Sequence, residues 1–279
     1  MSTGWIDRLG LEWQKPRVRR GVAGAAVLAA LLVVVGLGTL SWKEAHVWFH
    51  PSRDEMYVRA IRERANFRAA QAWVRLGLDA MTRGDLTGAT ERFRKAVAVD
   101  GDMAAARFQL AVALERQGRD DEAGAEYRRA VQLEPGNSDA RNNLGVLLQR
   151  RGDLEGAAEQ FRRIVAEEPS YVRARNNLGN LLLQQGKVEE AAEQYRAAVR
   201  IDPRYANGWV NLGVVQARQG KVLEAEGSYR EALRLQPGFA EAHENLSRVL
   251  ALQGKGEEAA RHHATAQELM KARAAGASR

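Results

Sequence analysis

The chain of 279 residues contains no cysteine. That excludes a disulfide framework, a thiolate nucleophile, cysteine-ligated zinc and covalently attached c-type haem, whatever the compartment. It also lacks a dense lysine and arginine run with interleaved aromatics, although its formal charge is +7. The charge is unevenly placed: residues 1–69 carry 11 Lys and Arg against 6 Asp and Glu, and residues 70–279 carry 31 against 29. The larger part is nearly neutral, so no nucleic-acid partner is expected. Missing as well are a phosphate-binding glycine loop, an H-E-x-x-H pair and any strand pattern that would present a serine or an acid pair. The residues therefore give no catalytic group, no cofactor, no metal and no small-molecule substrate. Histidine does not change this. His46 and His50 are spaced to share one helical face, but no third ligand accompanies them and Pro51 follows. His262 and His263 are consecutive and point about 100° apart on a helix, so they do not converge on one ion.

What is present begins with one long uncharged run. Residues 21–42 read "GVAGAAVLAALLVVVGLGTLSW", long enough at 1.5 Å per residue to cross a hydrocarbon layer of about 30 Å. Lys15, Arg17, Arg19 and Arg20 precede it and only Lys43 follows within ten residues. The positive-inside rule then expects residues 1–20 in the cytoplasm, a transmembrane helix at 21–42, and everything after it outside the cytoplasm at an inner membrane. A cleaved signal peptide is the rival, but its apolar region would be about twice the usual length and no Ala-x-Ala site follows. A buried helix of a soluble domain needs apolar surroundings that the rest of the chain does not offer. Trp5, Leu9 and Trp13 fall four apart as an apolar stripe for the headgroup region, and Trp42, Trp48 and Phe49 gather at the opposite interface. Residues 43–69 read as a linker and a charged lead-in helix.

Four of the six prolines, Pro135, Pro169, Pro203 and Pro237, are 34 residues apart, and "RNNLG" occurs at 141–145 and again at 175–179. A frame set by the Leu-Gly pair gives six blocks without insertion: 70–103, 104–137, 138–171, 172–205, 206–239 and 240–273. Position 7 is Leu76, Leu110, Leu144, Leu178, Leu212 and Leu246. Position 8 is small throughout: Gly77, Ala111, Gly145, Gly179, Gly213 and Ser247. Glycine holds position 15 and alanine position 20 in all six blocks, and position 24 is Phe93, Tyr127, Phe161, Tyr195, Tyr229 and, in the last, His263. Positions 4, 7, 8 and 11 share one face of a first helix, and 20, 24 and 27 one face of a second. Small residues at 8 and 20 let the two helices approach. The glycine at 15 suits a left-handed residue that turns the chain back, and the closing proline stops the second helix.

On these residues the chain resembles the tetratricopeptide repeat family over 70–273. The resemblance implies an all-α, right-handed superhelical solenoid of six helix-turn-helix repeats, here preceded by the transmembrane helix, with a tail at 274–279 too short for a catalytic domain. The first block departs from the pattern with Gly101 in place of proline, and in the last block Ser247, His263 and Lys271 read as a terminal cap. The family's concave surface is lined by first helices and holds an extended peptide or a partner's helix, with positions 2, 5, 6, 9, 12 and 13 pointing there. Position 6 carries Asn143, Asn177, Asn211 and Asn245, and Asn142, Asn176 and Asn180 thicken the row. Arg116, Arg150 and Arg218 stand at position 13 and Arg173 at position 2. An asparagine amide both donates and accepts, so the row can pair with a bound main chain. Asparagine at position 6 is also common in the family as a solvated polar residue. The family's carboxylate clamp is not reproduced, because lysine is absent from these positions. The expectation is a membrane-anchored scaffold that binds segments of other proteins and assists assembly of an envelope complex. A permanent structural or specificity subunit of a membrane enzyme, secretion, pilus or cytochrome-maturation complex is the alternative.

Overall fold

A computed structural model describes residues 51–277, and the expected transmembrane segment, His46 and His50 lie outside the described residues. Contacts divide the chain at Ala70. Before it, the described residues are the N-terminal part of one helix, α1 (Pro51–Thr82), opened by a proline whose missing N–H is not needed in a first turn. The helix passes position 70 without a break. Repeat 1 therefore begins inside a longer helix, and its block boundary marks no helix start.

From Ala70 onward, helices alternate as antiparallel pairs. After α1 come α2 (Leu86–Val99), α3 (Ala104–Arg116), α4 (Asp120–Leu133), α5 (Ser138–Arg150) and α6 (Leu154–Glu167). They continue as α7 (Val172–Gln184), α8 (Val188–Ile201), α9 (Ala206–Arg218), α10 (Val222–Leu235), α11 (Ala240–Leu252) and α12 (Gly256–Ala277). No strand occurs among the described residues. None of these helices is long and apolar enough to cross a membrane. Each helix packs against the next in the chain, and successive first helices also touch: α5 with α7, α7 with α9, α9 with α11. Second helices do not pair in that way. A stack that is closer on one side curves toward it, so in repeats 3 to 6 the first helices line the inner side.

The expected reasons for the pairing hold at the turn glycines and at position 8, whereas Leu76, at position 7 of the first repeat, is exposed. The position-15 glycines have φ between 74° and 85°, in the left-handed region where a side chain is strained. A Cβ at Gly145 would stand 2.6 Å from Phe161, and one at Gly179 2.6 Å from Tyr195, so the aromatic at position 24 occupies the space left at position 8.

Position 4 supplies a link not visible as a residue pattern, because its side chains differ in kind. Arg107 donates to the Gly101 carbonyl at 2.8 Å and Arg175 to that of Pro169 at 2.8 Å. Trp209 donates to the Pro203 carbonyl at 2.9 Å, and His243 Nε2 lies 2.9 Å from that of Pro237. The buried Arg141 guanidinium donates likewise to Pro135. The shared property is a long side chain ending in an N–H. It ties the first helices of repeats 2 to 6 to the turn that precedes each and satisfies a carbonyl there.

Candidate functional site

The first-helix face is built from positions 6, 9, 12 and 13. Position 9 forms its floor: Leu78, Val112, Val146 and Val214, with Asn180 and Arg248 breaking the apolar column. Between repeats 2 and 3 this face forms an open depression of about 440 Å³, lined by Val112, Glu115, Arg116, Tyr127, Asn143, Val146 and Arg150. It brings together three of the expected residues, Arg116, Asn143 and Arg150. The repeat pattern marks Tyr127 only as a packing aromatic at position 24, and it singles out neither the valines at position 9 nor Glu115 at position 12, which could have been tabulated as the asparagines were.

The polar groups here are already connected. Tyr127 donates its hydroxyl to Glu115 at 2.8 Å, and Asn143 donates to the Tyr127 oxygen at 3.3 Å. Arg150 reaches Glu115 at 3.1 Å and Asp120 at 2.9 Å. Burial, then the Glu115 carboxylate, pushes the Tyr127 phenol well above its ordinary pKa, so it remains a neutral donor. Arg116 is exposed and has no side-chain partner among the described residues.

The asparagine row is not uniform. Asn142 and Asn176, expected in the groove, are only 5% and 6% exposed, because position 5 turns toward the next repeat. Asn177 donates to the Asn142 oxygen at 2.9 Å, and Asn211 donates to the Asn176 oxygen at 2.8 Å. Asn211 also reaches Asn180 at 3.2 Å, whose oxygen accepts from Tyr195 at 2.6 Å. Burial raises the Tyr195 phenol as it does Tyr127. The amides at positions 5 and 6 thus form a ladder joining repeats 3, 4 and 5. It leaves the oxygens of Asn177 and Asn211 without a donor among the described residues. Asn245 makes no side-chain bond there at all, since Val210 stands where the ladder would continue.

Of the remaining arginines, Arg173 bonds Asp139 at 2.6 Å and lies over the Tyr171 ring. Arg218 is exposed and unpartnered among the described residues. No group of three metal-ligating side chains occurs among the described residues. His262 faces His243, Nδ1 to Nδ1 at 2.8 Å, while His263 bonds Glu244 at 2.9 Å. What this face offers chemically is an apolar floor, amide acceptors and open guanidinium groups.

A family model for the tetratricopeptide repeat matches residues 74–138, 142–206 and 210–276. No curated protein matches the chain. Among solved structures, PilF of Pseudomonas aeruginosa is 23% identical with a TM-score of 0.67, covering 74% of this chain and 93% of its own. PilW, a type IV pilus biogenesis factor, is 19% identical with a TM-score of 0.64, covering 71% and 92%. YrrB, described as having an unusual peptide-binding site, is 23% identical with a TM-score of 0.52, covering 67% and 95%. At these identities the likeness is one of fold.

Proposed function

The chain belongs to the tetratricopeptide repeat family, and from that premise we propose that it is a non-catalytic scaffold or adaptor whose first-helix groove holds a segment of another protein. The observation that carries this is the depression between repeats 2 and 3, where an apolar floor of Val112 and Val146 lies beside an unpartnered arginine. Half-buried valines open to solvent beside a free guanidinium are the make-up of a peptide groove. Asn177, Asn211 and Asn245 extend it with amide oxygens that accept main-chain N–H groups, while Asn143, Asn180, Arg150 and Arg173 shape its walls. Asn142 and Asn176 act through the ladder. Val146→Glu in the full chain should abolish co-purification of partner proteins from native membranes, and Arg162→Glu on a second helix should leave it intact. Equal recovery with both variants removes the groove as the binding surface.

The finer part of the proposal is where this happens. Residues 21–42 anchor the chain in an inner membrane, the N-terminus is cytoplasmic and the repeats lie on the other side, where they assist assembly of an envelope complex. The support is the uncharged run and the charge asymmetry around it. PilW, as a type IV pilus biogenesis factor, names one such assembly to test. A C-terminal reporter active only outside the cytoplasm should be active, and a reporter active only inside it should be silent. The opposite pair of results removes the topology. A fixed subunit docked through its second helices has less support: large exposed apolar side chains there are Ile201, Leu223 and Met270, one to a helix.

A further inference from the structure

The groove face has an excess of positive groups that the chain does not neutralise itself. Its carboxylates are largely engaged: Glu115 by Arg150, Asp139 by Arg173, Glu244 by Arg248 at 3.1 Å. Left without a side-chain partner among the described residues are Arg75, Arg116 and Arg218, against Glu241 alone on the negative side. All four are exposed. A groove whose own acids are paired and whose remaining charges are mostly guanidinium attracts carboxylates and repels ammonium groups.

The floor adds a second requirement. Val112 and Val146 are one repeat apart, Asn180 interrupts, and Val214 follows. First helices packed side by side lie about 8–10 Å apart, so these residues set an apolar, apolar, polar, apolar series with steps of that size. A segment following the groove meets aliphatic contacts at three steps and an amide at one.

We propose that this groove selects acidic, aliphatic segments of partner proteins, with carboxylates against Arg116 and Arg218 and valine-like or leucine-like side chains against Val112, Val146 and Val214. The proposal rests on the groove reading above and narrows it to one ligand chemistry. Each arginine is solvent-exposed, so each contact is weak alone and sensitive to salt. The aliphatic contacts supply affinity that salt does not remove.

A displayed library of random twelve-residue peptides, each able to span about 40 Å when extended, is panned on the full chain. Enriched peptides are expected to be net negative and rich in Val, Leu and Ile. Their affinity should fall roughly tenfold in the Arg116→Glu, Arg218→Glu double variant, the sum of two exposed pairs, and for the parent chain it should fall in about 0.5 M salt. Charge-reversed peptides should prefer the double variant. Enrichment of neutral or basic peptides that Val146→Glu still releases overturns the ligand chemistry and leaves the groove standing. Enriched peptides insensitive to both variants overturn the groove reading itself.

Discussion

In repeats 3 and 4, position 11 is Leu148 and Leu182, both buried in one apolar cluster, and the repeats are joined by the neutral amides of Asn142 and Asn177. In repeat 5 the same position is Gln216, 7% exposed, which accepts from Ser228 at 2.6 Å. Two apolar clusters meet there, with Trp209 touching both. Beyond it, ionisable groups take over the joining. Glu226 accepts from Arg230 at 2.7 Å and, across to the next repeat, from Gln253 at 2.7 Å and Lys255 at 2.9 Å, while inside that last repeat His243 pairs with His262. One helix geometry is thus held in two ways. Where buried leucine and amide contacts hold it, proton concentration acts only on exposed pairs such as Asp139 with Arg173; where a buried carboxylate and an imidazole hold it, pH becomes a larger variable of stability.

The most disruptive way to test the contrast is Leu181→Ala, which removes a fully buried side chain from the leucine-held repeats. About 2–5 kcal/mol of stability should be lost. Because neighbouring repeats couple only locally, amide protection should fall in α5 to α8 before it falls in α11 and α12. A uniform fall through the array would mean that repeat 5 is no boundary.

A smaller effect is expected inside that boundary. Ser228→Ala leaves the Gln216 amide buried without its donor and should cost about 1–3 kcal/mol, read from the denaturant midpoint. Adding Gln216→Leu removes the orphaned group and restores the residue type found at position 11 in repeats 2, 3, 4 and 6. The double variant should regain the parent's stability or exceed it. If it is weaker than Ser228→Ala, the buried pair is not a substitute for leucine packing.

The mildest probe is pH. The Lys255 hydrogen bond first, opposed by burial and aided by Arg230 and Gln253, holds Glu226 down to about 2. A depressed carboxylate contributes stability that is complete above its ordinary value and lost as pH falls from about 4.5 toward 2. Burial, then His243, holds His262 below its ordinary value, so the unfolded chain binds that proton more readily. Loosening on this account begins as pH falls below about 6.5. Protection in α10 to α12 should therefore decline in acid while that in α5 to α8 holds. His262→Gln should remove the upper part of the decline and Glu226→Gln the lower. Equal declines on both sides of repeat 5 would erase the distinction.

Much of this architecture was legible as a column reading of the sequence. A repeat of 34 residues places the same side chain in the same environment, so Gly145 against Phe161 and Gly152 in the left-handed turn follow from residue type alone. The position-4 links were not legible, because arginine, tryptophan and histidine share only a distal N–H, a property that pattern matching on hydrophobicity does not see. The asparagine row was legible as a row but not as a ladder. Whether an amide faces a ligand or the next repeat depends on a rotation of about 100° between positions 5 and 6, and on a neighbour 34 residues away. The valine floor was overlooked because half-buried valine on a helix looks like core in sequence; here it lies in an open depression.

The most direct test of the account is where a partner touches the array. A photo-reactive amino acid is placed at Val146, on the groove floor, and in a second chain at Arg162, on the second helix of the same repeat, and both are irradiated in cells that make the full chain. Adducts to another protein should form from position 146 and be suppressed by Arg116→Glu, with none from position 162. Adducts from position 162 and none from 146 would contradict the groove as the functional surface.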